Sequence, residues 1–484
     1  MNNYNTIPSK PLAPTNHDEQ RQQENALRKR LLTGEYYQDL EDELYRHLPT
    51  DRREAWGVAD ESSNPFEQVT RQLATLYHEQ PLITNSKGDI QDLIGREGYV
   101  QKAGLFALMQ RFQQFVLGIR ECVIRIDVAH TPTRNPGVNY RVVTPDLLYM
   151  ESHQDMPDTP LLYMELRLRE DENKEVTWVY DYIDIRDENN PVFGMFKAES
   201  DGTMGKDMSE LYMGHPAMKG ESYPFRDSEN KPFLPLVLYH AQKTGYLWNS
   251  FDNRPLVSGT MSSMVLFSMW VHCVRDCSHP QRYIAGLQIS GLSNLDTDLT
   301  SRRQSISTDP SSILVFHQDL DATSQPLIGQ FTAGADPKEL LEAIASYEYR
   351  VAVSAGISPS ELTRTSSDPR SGYSLSVSKA GQREYSRAMA PIFRRYDEEL
   401  LTKTAMLCNR YLNTNLPENG YRVSYQTLQL SPEELTAIRE DVVQKLQVGL
   451  MSPLSAIRAL HPDLDEQGAR EKLLQIRRER AEFI

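Results

Sequence analysis

Cysteine is scarce in this chain, which has four among 484 residues: Cys122, Cys273, Cys277 and Cys408. So few cysteines do not make a disulfide framework, which excludes a small disulfide-stabilised scaffold and indicates a reducing compartment. Cations are also outnumbered: 52 Lys and Arg stand against 67 Asp and Glu, a formal net charge of −15. A protein that coats nucleic acid by neutralising phosphates needs the opposite balance.

The motifs of common enzyme classes are missing as well. The sequence contains no G-x-x-x-x-G-K-[ST] phosphate loop and no G-x-S-x-G nucleophile elbow. Asp296 and Asp298 resemble half of a calcium loop, without its glycine or its terminal glutamate. We therefore predict that the protein is not an enzyme and uses no cofactor.

One short segment, "HCVRDCSHP", holds side chains of the types that bind zinc: His272, Cys273, Cys277 and His279. Cysteines four residues apart on a helix can share one metal ion, but the spacing matches no standard zinc pattern. The segment also continues an apolar helix, so we interpret the cysteines as buried thiols at a helix end and predict no metal site.

Long uncharged runs are rare, and the one present is "PLVSGTMSSMVLFSMWVHCV", residues 255–274. It is long enough to cross a bilayer. Its first half, however, carries Ser258, Gly259, Thr260, Ser262 and Ser263, so the strongly apolar part is only 264–271. A helix apolar on most of its surface must otherwise be covered by protein. We predict that neighbouring subunits cover it and that no membrane is involved.

The first half of the chain changes from a helical to a strand period. Residues 1–20 are polar and predicted to be disordered, and helices are predicted over 20–56, 64–81 and 99–117. Alternation then predicts an antiparallel β region over 118–240, with strands in "ECVIRIDVAH", "NYRVVTPDLLYMES", "PLLYMELRLRE" and "EVTWVYDYIDIRD". Residues 200–232, rich in Gly, Lys, Ser and Pro, are predicted to form a surface excursion.

The second half returns to helices around a small β element. The uncharged helix precedes two predicted strands, "QRYIAGLQIS" and "SSILVFHQDLD", and Asp336–Pro337 begins the next helix. A polar loop over 358–372 leads to a long helix from Tyr373 to about Leu412, kinked or interrupted at Pro391. A strand, "YRVSYQTL", and a helical tail follow, so the fold class is α+β.

This order of elements resembles that of the portal proteins of tailed bacteriophages. The resemblance is carried by "NPFEQVTRQLATLYHEQP", "YRVVTPDLLYMES", "YEYRVAVSAGISPSELTRTSSDPRSGYSLSVSKAGQREYSRAMAPIFRRYDEEL" and "LQVGLMSPLSAIRALHPDLDE". It implies a wing over 21–250, a first stem helix over 251–279, a clip over 280–335 and a second stem helix over 336–357. A channel loop over 358–372, a long wing helix and strand over 373–430 and a helical crown over 431–484 complete it.

The resemblance also implies a function. A portal protein forms a ring, commonly a dodecamer, at one capsid vertex, and double-stranded DNA passes through it during packaging and ejection. The implied partners are further copies of the chain, the terminase large subunit, the major capsid and scaffolding proteins, and head–tail connector or adaptor proteins. The implied location is the virion, after assembly in the host cytoplasm.

Five basic residues are candidates for contact with DNA in the channel: Arg364, Arg370, Lys379, Arg383 and Arg387. The first two lie in the channel loop, which is rich in Ser, Thr and Gly and could contact a phosphate backbone without binding it tightly. The other three are spaced by four residues and share one helix face. Such a stripe alternatively pairs with acidic residues of a neighbouring subunit.

Two other functions are compatible with the sequence. The chain could be another ring component of a virion, such as a head–tail connector or baseplate protein, without DNA translocation. It could also be a DNA-processing enzyme with an unrecognised site, although the clustered acids or phosphate loop of such an enzyme are not seen. Ring formation separates the first two functions from the third, and terminase binding separates the portal from the connector.

Overall fold

A computed structural model describes most of the chain as a mixture of helices (51%) and strands (21%), which confirms the α+β class. The described residues are 15–48, 59–131, 134–170, 176–199, 203–210, 223–249, 251–278, 281–285, 313–316, 327–331, 336–355, 380–426, 432–460 and 466–482. They belong to two compact units. Unit 1 comprises Met1–Lys29, Gln68–Asp252 and Ala355–Ile484, and unit 2 comprises Arg30–Glu67 and Asn253–Ser354.

The described helices range from single turns of four residues to one helix of 33 residues. In chain order they are α1 (Asn16–Thr33), α2 (Tyr37–His47), α3 (Pro65–Leu73), α4 (Gln91–Ile94), α5 (Tyr99–Lys102), α6 (Leu105–Ile119), α7 (Arg254–Ser278), α8 (Pro337–Ser354), α9 (Ala380–Leu412), α10 (Pro432–Gln447), α11 (Pro453–Leu460) and α12 (Glu466–Glu482).

The described strands fall mainly in the region where the sequence alternates. They are β1 (Leu82–Asn85), β2 (Glu121–Thr131), β3 (Arg134–Val143), β4 (Leu148–Ser152), β5 (Pro160–Glu170), β6 (Val176–Asp184), β7 (Val192–Ala198), β8 (Met204–Asp207), β9 (Leu236–His240), β10 (Gln281–Ala285), β11 (Ile313–Phe316), β12 (Leu327–Phe331) and β13 (Tyr421–Ser424).

Unit 1 contains three antiparallel sheets, with strand orders β3-β2-β9, β4-β5-β6-β7-β8 and β1-β13. The predicted antiparallel region is therefore confirmed, including the β5–β6 pair. Like charges lie opposite each other within each of the two larger sheets: Arg125 opposite Arg141, and Glu165 opposite Asp181. Such pairs are unfavourable alone. Across the sheets they neutralise each other, because Arg125 Nη1 lies 2.8 Å from Asp181 Oδ2 and Arg141 Nη2 donates to Glu165 Oε2 over 2.8 Å.

Several predicted helices are shorter or divided. Gly34, at φ +82°, separates α1 from α2, and Gly104, at φ +70°, separates α5 from α6. Glycine adopts these left-handed conformations without the steric penalty of a side chain. The helix predicted over 64–81 ends at Leu73. The main-chain N–H of Leu76 instead donates to the buried Gln113 Oε1 over 3.0 Å.

The prediction of a disordered tail over 1–20 is wrong for its last part, since α1 begins at Asn16. The Thr15 hydroxyl accepts a hydrogen bond from the Asp18 N–H at 3.2 Å, which caps the helix. Arg21, fully buried, donates to the carbonyls of Pro145 and Leu148 at 3.1 and 3.0 Å. Residues 1–14 lie outside the described residues.

Two other predictions need correction in unit 1. The single strand predicted in "NYRVVTPDLLYMES" is two strands, β3 and β4, separated by a 3-10 turn that begins at Pro145. Proline cannot donate to a sheet ladder, which ends the strand there. The surface excursion predicted over 200–232 includes the buried Tyr223 and Phe225. Phe225 packs edge-on against Phe193, with ring centroids 5.4 Å apart.

Unit 2 contains a small sheet with strand order β11-β10-β12. Strand β10 pairs with β11 in parallel and with β12 antiparallel. The first two strands were predicted. The third, β12, was missed because its five residues, "LIGQF", are too short to show a period.

By length and composition alone, one helix among the described residues could cross a membrane, over Arg254–Arg275. Its most apolar 18-residue window is 44% buried within the protein. Membrane spans and the core helices of soluble proteins can share this length and composition. Among the polar residues of this helix, Thr260, Ser263 and Ser268 are buried, and the Ser263 hydroxyl donates to Glu348 on α8.

Candidate nucleic-acid interface

The helices α7 and α8 form an antiparallel pair in unit 2. Near one end, Gly259 lies against Val351, so close that a β-carbon at Gly259 would be 2.6 Å from Val351 Cγ2. Near the other end, Trp270 Nε1 donates to the carbonyl of Pro337 over 2.7 Å. The glycine permits close approach of the two helices. The hydrogen bond from the Trp270 indole fixes their relative position along the helix axes.

A carboxylate ties this pair to a third segment of unit 2. Glu348 Oε1, on α8, accepts hydrogen bonds from the hydroxyls of Ser263, on α7, at 2.7 Å and of Ser63 at 2.6 Å. Ser263 is buried, and Glu348 is half-buried. Both bonds have a charged acceptor, which makes them stronger than bonds between neutral groups.

Large apolar side chains of the helix pair remain uncovered. They are between 38% and 51% exposed: Leu266 and Val271 on α7, and Leu340, Leu341, Tyr349 and Val353 on α8. Scattered apolar residues are normal on a surface. A group of this size on two adjoining helices is instead typical of a protein–protein interface.

The start of α9, in unit 1, is strongly basic. Between residues 380 and 396 it carries four arginines and one acid. Arg383 is half-buried and Arg387 exposed, one turn apart, and Arg387 forms no ion pair with any described residue. The candidates Arg364, Arg370 and Lys379 lie outside the described residues, so the structure brings together only two of the five.

The long helix is not interrupted at Pro391, contrary to one of the two predicted possibilities. The helix α9 runs through the proline from Ala380 to Leu412. Proline has no N–H, so the main-chain carbonyl of Arg387 lacks its usual helical donor. The buried Met389 and Phe393 hold the helix on either side of the proline. Arg387 thus combines an exposed guanidinium with a main-chain carbonyl that the helix leaves without its donor.

A buried carboxylate holds the middle of α9 in place. Asp397 accepts hydrogen bonds from three phenols: Tyr77 at 2.9 Å, Tyr239 at 2.8 Å and Tyr425 at 2.7 Å. Burial raises the pKa of Asp397 to about 6, although the three hydrogen bonds lower it. Burial also raises the pKa of each phenol well above its ordinary value, so all three remain donors.

The sequence interpretation missed Asp397. Its signal was present in the helical period, since Asp397 lies four residues after Phe393 and four before Leu401, all buried on one stripe. A charged residue at a position that the period assigns to the core needs partners. The three tyrosines are distant in sequence, so their convergence could not be read from it.

The two cysteines of "HCVRDCSHP" lie on α7 with their sulfur atoms 4.0 Å apart. Both are half-buried and neither is in a disulfide. No group of three metal-binding side chains occurs among the described residues, which do not include His279.

Comparison with solved structures gives matches that include two chains of gene transfer agent particles. A chain from the neck of an empty gene transfer agent particle, computed with C6 symmetry, has a TM-score of 0.39 and 9% identity, covering 80% of this chain and 86% of that one. A chain from the virion of a native gene transfer agent particle has a TM-score of 0.38 and 11% identity, with the same coverage. No protein-family model and no curated protein matches the sequence.

Proposed function

We propose that this chain is the subunit of a phage-like portal, a ring at one capsid vertex through which double-stranded DNA is packaged and ejected. TM-scores below 0.5 do not establish a common fold, so the proposal depends on the order and surfaces of the elements. Its proposed role is structural and not enzymatic. The proposed partners are other copies of the chain, terminase, capsid and scaffolding proteins, and connector proteins.

The observation that carries the proposal is the helix pair α7–α8. The chain passes from α7 through the small sheet of β10, β11 and β12 to the antiparallel α8, the order expected of a stem around a clip. Both helices expose large apolar side chains. In a ring, each subunit offers one surface to one neighbour and a different surface to the other, so uncovered residues on both helices are what such an assembly requires.

The charges fit a channel that DNA passes through. The basic start of α9 offers exposed guanidinium groups, Arg387 among them, that can contact phosphates. The chain as a whole carries a net charge of −15, which limits the strength of DNA binding. Weak and reversible contact allows a duplex to move, whereas a strongly basic wall would retain it.

Native mass spectrometry and negative-stain imaging of the full chain test the ring. We expect a closed ring of about twelve copies with an opening wide enough for duplex DNA. Leu341→Glu should reduce ring formation, because it places a charge in an apolar interface. Lys338→Glu, one turn earlier and exposed, is the matched control and should assemble as the parent does. A chain that stays monomeric when capsid scaffold is added contradicts the proposal.

Two further results separate the portal from other ring proteins. A portal should bind the terminase large subunit, whereas a connector or baseplate ring should not. The chain is instead a connector or baseplate protein if its ring has an opening narrower than duplex DNA. The same conclusion follows if the ring does not bind terminase.

A further inference from the structure

A cleft of about 230 Å³ lies within unit 1 and is lined in part by strand β9. Its lining includes the apolar side chains Leu236 and Leu238 of β9 and the charged side chains Arg395 and Lys403 of α9.

Among the described strands, β2 is the one neighbour of β9, so β9 is an edge strand of this sheet. The N–H of Ile126 donates to the carbonyl of Pro235 over 2.8 Å, and the N–H of Ala241 donates to the carbonyl of Arg120 over 2.7 Å. Residues of an antiparallel strand alternate between its two edges. Leu238 and His240 consequently direct their main-chain N–H and C=O groups away from β2, toward the free edge.

Along the free edge, the main-chain groups of Leu236 are hydrogen-bonded, whereas those of Leu238 and His240 are not hydrogen-bonded to any described residue. The Leu236 N–H donates to the carbonyl of Leu234 over 2.8 Å, and the Leu236 carbonyl accepts from Lys403 Nζ at 2.7 Å. Leu238 and His240 are only 5% and 4% exposed, yet their main-chain groups have no hydrogen-bond partner within the described part of the chain. Buried main-chain groups are nearly always paired, so this edge is built to receive a partner.

The charge of the cleft indicates what the partner carries. Lys243 is paired with Asp158 at 3.3 Å, and Lys403 with Glu399 at 2.7 Å. Arg395 also lines the cleft, is exposed, and forms no ion pair with a described residue. After these pairings the cleft retains one unbalanced positive charge, which favours a ligand with a carboxylate.

The other polar groups of the cleft are already used. His240 Nε2 donates to the carbonyl of Leu247 over 3.0 Å, and its Nδ1 accepts from the Tyr396 hydroxyl at 2.9 Å. Burial lowers the pKa of His240, which keeps the ring neutral in this arrangement. Ligand recognition is therefore left to the main chain of β9 and to Arg395.

We propose that this cleft binds an extended acidic peptide segment of a partner protein, which adds a strand to β9. A residue opposite Leu238 would exchange both main-chain hydrogen bonds with it, and an acidic side chain would reach Arg395. Main-chain pairing of this kind supplies affinity, and the side-chain contact supplies selectivity. The site lies within unit 1 and needs no ring, so it is independent of the proposed function.

Fluorescence anisotropy with a labelled, end-blocked hexapeptide of alternating valine and glutamate tests this proposal on the full chain. We expect saturable binding below about 1 mM. Arg395→Ala should weaken it about tenfold or more, because a hydrogen bond to a charged group is removed. Arg394→Ala, which removes a neighbouring exposed arginine that does not line the cleft, should change it by no more than about twofold.

Two altered peptides distinguish binding through main-chain hydrogen bonds from binding through charge alone. A peptide N-methylated at its central amides keeps its carboxylates but loses its main-chain donors, and it should bind about tenfold more weakly. A peptide with lysine in place of glutamate keeps the donors and should also bind more weakly. Equal binding of the N-methylated and parent peptides overturns the proposal.

Three other results overturn it as well. One is the absence of binding by the parent peptide. Another is displacement of the peptide by a duplex oligonucleotide in an Arg395-dependent manner, which would assign the cleft to nucleic acid. The third is a change of oligomeric state in Arg395→Ala, which would make a second copy of the chain the occupant.

Discussion

Val351 packs against Gly259 so closely that the β-carbon of any other residue at position 259 would lie 2.6 Å from Val351 Cγ2. Gly259→Ala should therefore destabilise unit 2, because a stiff β-branched side chain must move. Overpacking costs about 1–3 kcal/mol, and the gain in helix propensity from glycine to alanine offsets up to about 1 kcal/mol. Denaturant titration of the full chain measures the net loss of stability.

The effect of Gly259→Ala on stability should reverse when Val351 is shortened to alanine. In a Val351→Ala background the clash is absent, so Gly259→Ala should stabilise by about 1 kcal/mol through helix propensity alone. A double-mutant cycle gives both values. Destabilisation of equal size in the two backgrounds would show that close packing on Val351 is not the cause.

Asp397→Asn should remove a pH dependence of stability. The pKa of Asp397 is raised from its ordinary 3.8 to about 6 in the folded protein. A raised carboxyl pKa gives a contribution to stability that is present below pH 4 and is lost as pH rises through 6, amounting to about 3 kcal/mol. The difference in unfolding free energy between the parent and Asp397→Asn should therefore change by about this amount over that window.

Tyr425, one of the three phenols, supplies a second test of the titration of Asp397. Tyr425→Phe removes one donor to the ionised carboxylate, so the pKa of Asp397 should rise further and the loss of stability should extend to higher pH. A difference between the parent and Asp397→Asn that does not vary from pH 4 to pH 7 would mean that Asp397 does not titrate there.

Glu165→Gln should have the opposite pH dependence. Burial raises the pKa of Glu165, but its bonds with Arg141 and the nearby charge of Arg125 lower it more, to below its ordinary 4.5. Its stabilisation is present at neutral pH and lost as pH falls below about 4.5. Removal of one partner of such a buried network costs about 3–5 kcal/mol.

Urea titration at pH 7 and at pH 3.5 measures this effect. The loss of unfolding free energy in Glu165→Gln, relative to the parent, should be large at pH 7 and smaller at pH 3.5. Glu229→Gln, at an exposed turn, is the matched control and should change stability little at either pH. An equal deficit at both pH values would indicate a packing defect, not the loss of a charge.

Arg387→Ala should distinguish the two interpretations of the basic stripe on α9. If Arg387 binds phosphates, its removal lowers the dependence of DNA affinity on salt concentration by about one unit of log–log slope for each phosphate that it neutralises. If it pairs with a neighbouring subunit, ring stability falls and the salt slope does not. Arg422→Ala, an exposed arginine on β13, should affect neither property.

Much of the fold was predictable because its patterns are local. The start of α8 follows from Asp336, whose side chain accepts the Lys338 N–H at 2.8 Å, and the β5–β6 pair follows from alternation around a charged turn. Where the prediction failed, contacts between residues distant in sequence determined the local structure. The burial of Arg21 among distant carbonyls orders the start of α1, and residues 233–241 gave no sign that β9 would have a free edge.

The candidate site was predicted less completely than the fold. The spacing of Arg383 and Arg387 correctly placed them on one helix, because helical period alone determines that. The role of Asp397 depends on three tyrosines from other parts of unit 1, which a single sequence does not relate to one another. Arg364, Arg370 and Lys379 stay predictions.

The shared oxygen of Glu348 has a mechanical consequence. Displacing α8 along α7 by one helical turn, ~5.4 Å, would take the carboxylate away from the hydroxyls of Ser63 and Ser263 together. Sliding lengthens both hydrogen bonds at once, so it is opposed by two bonds with a charged acceptor. The two helices should therefore transmit force along their length as one stiff rod.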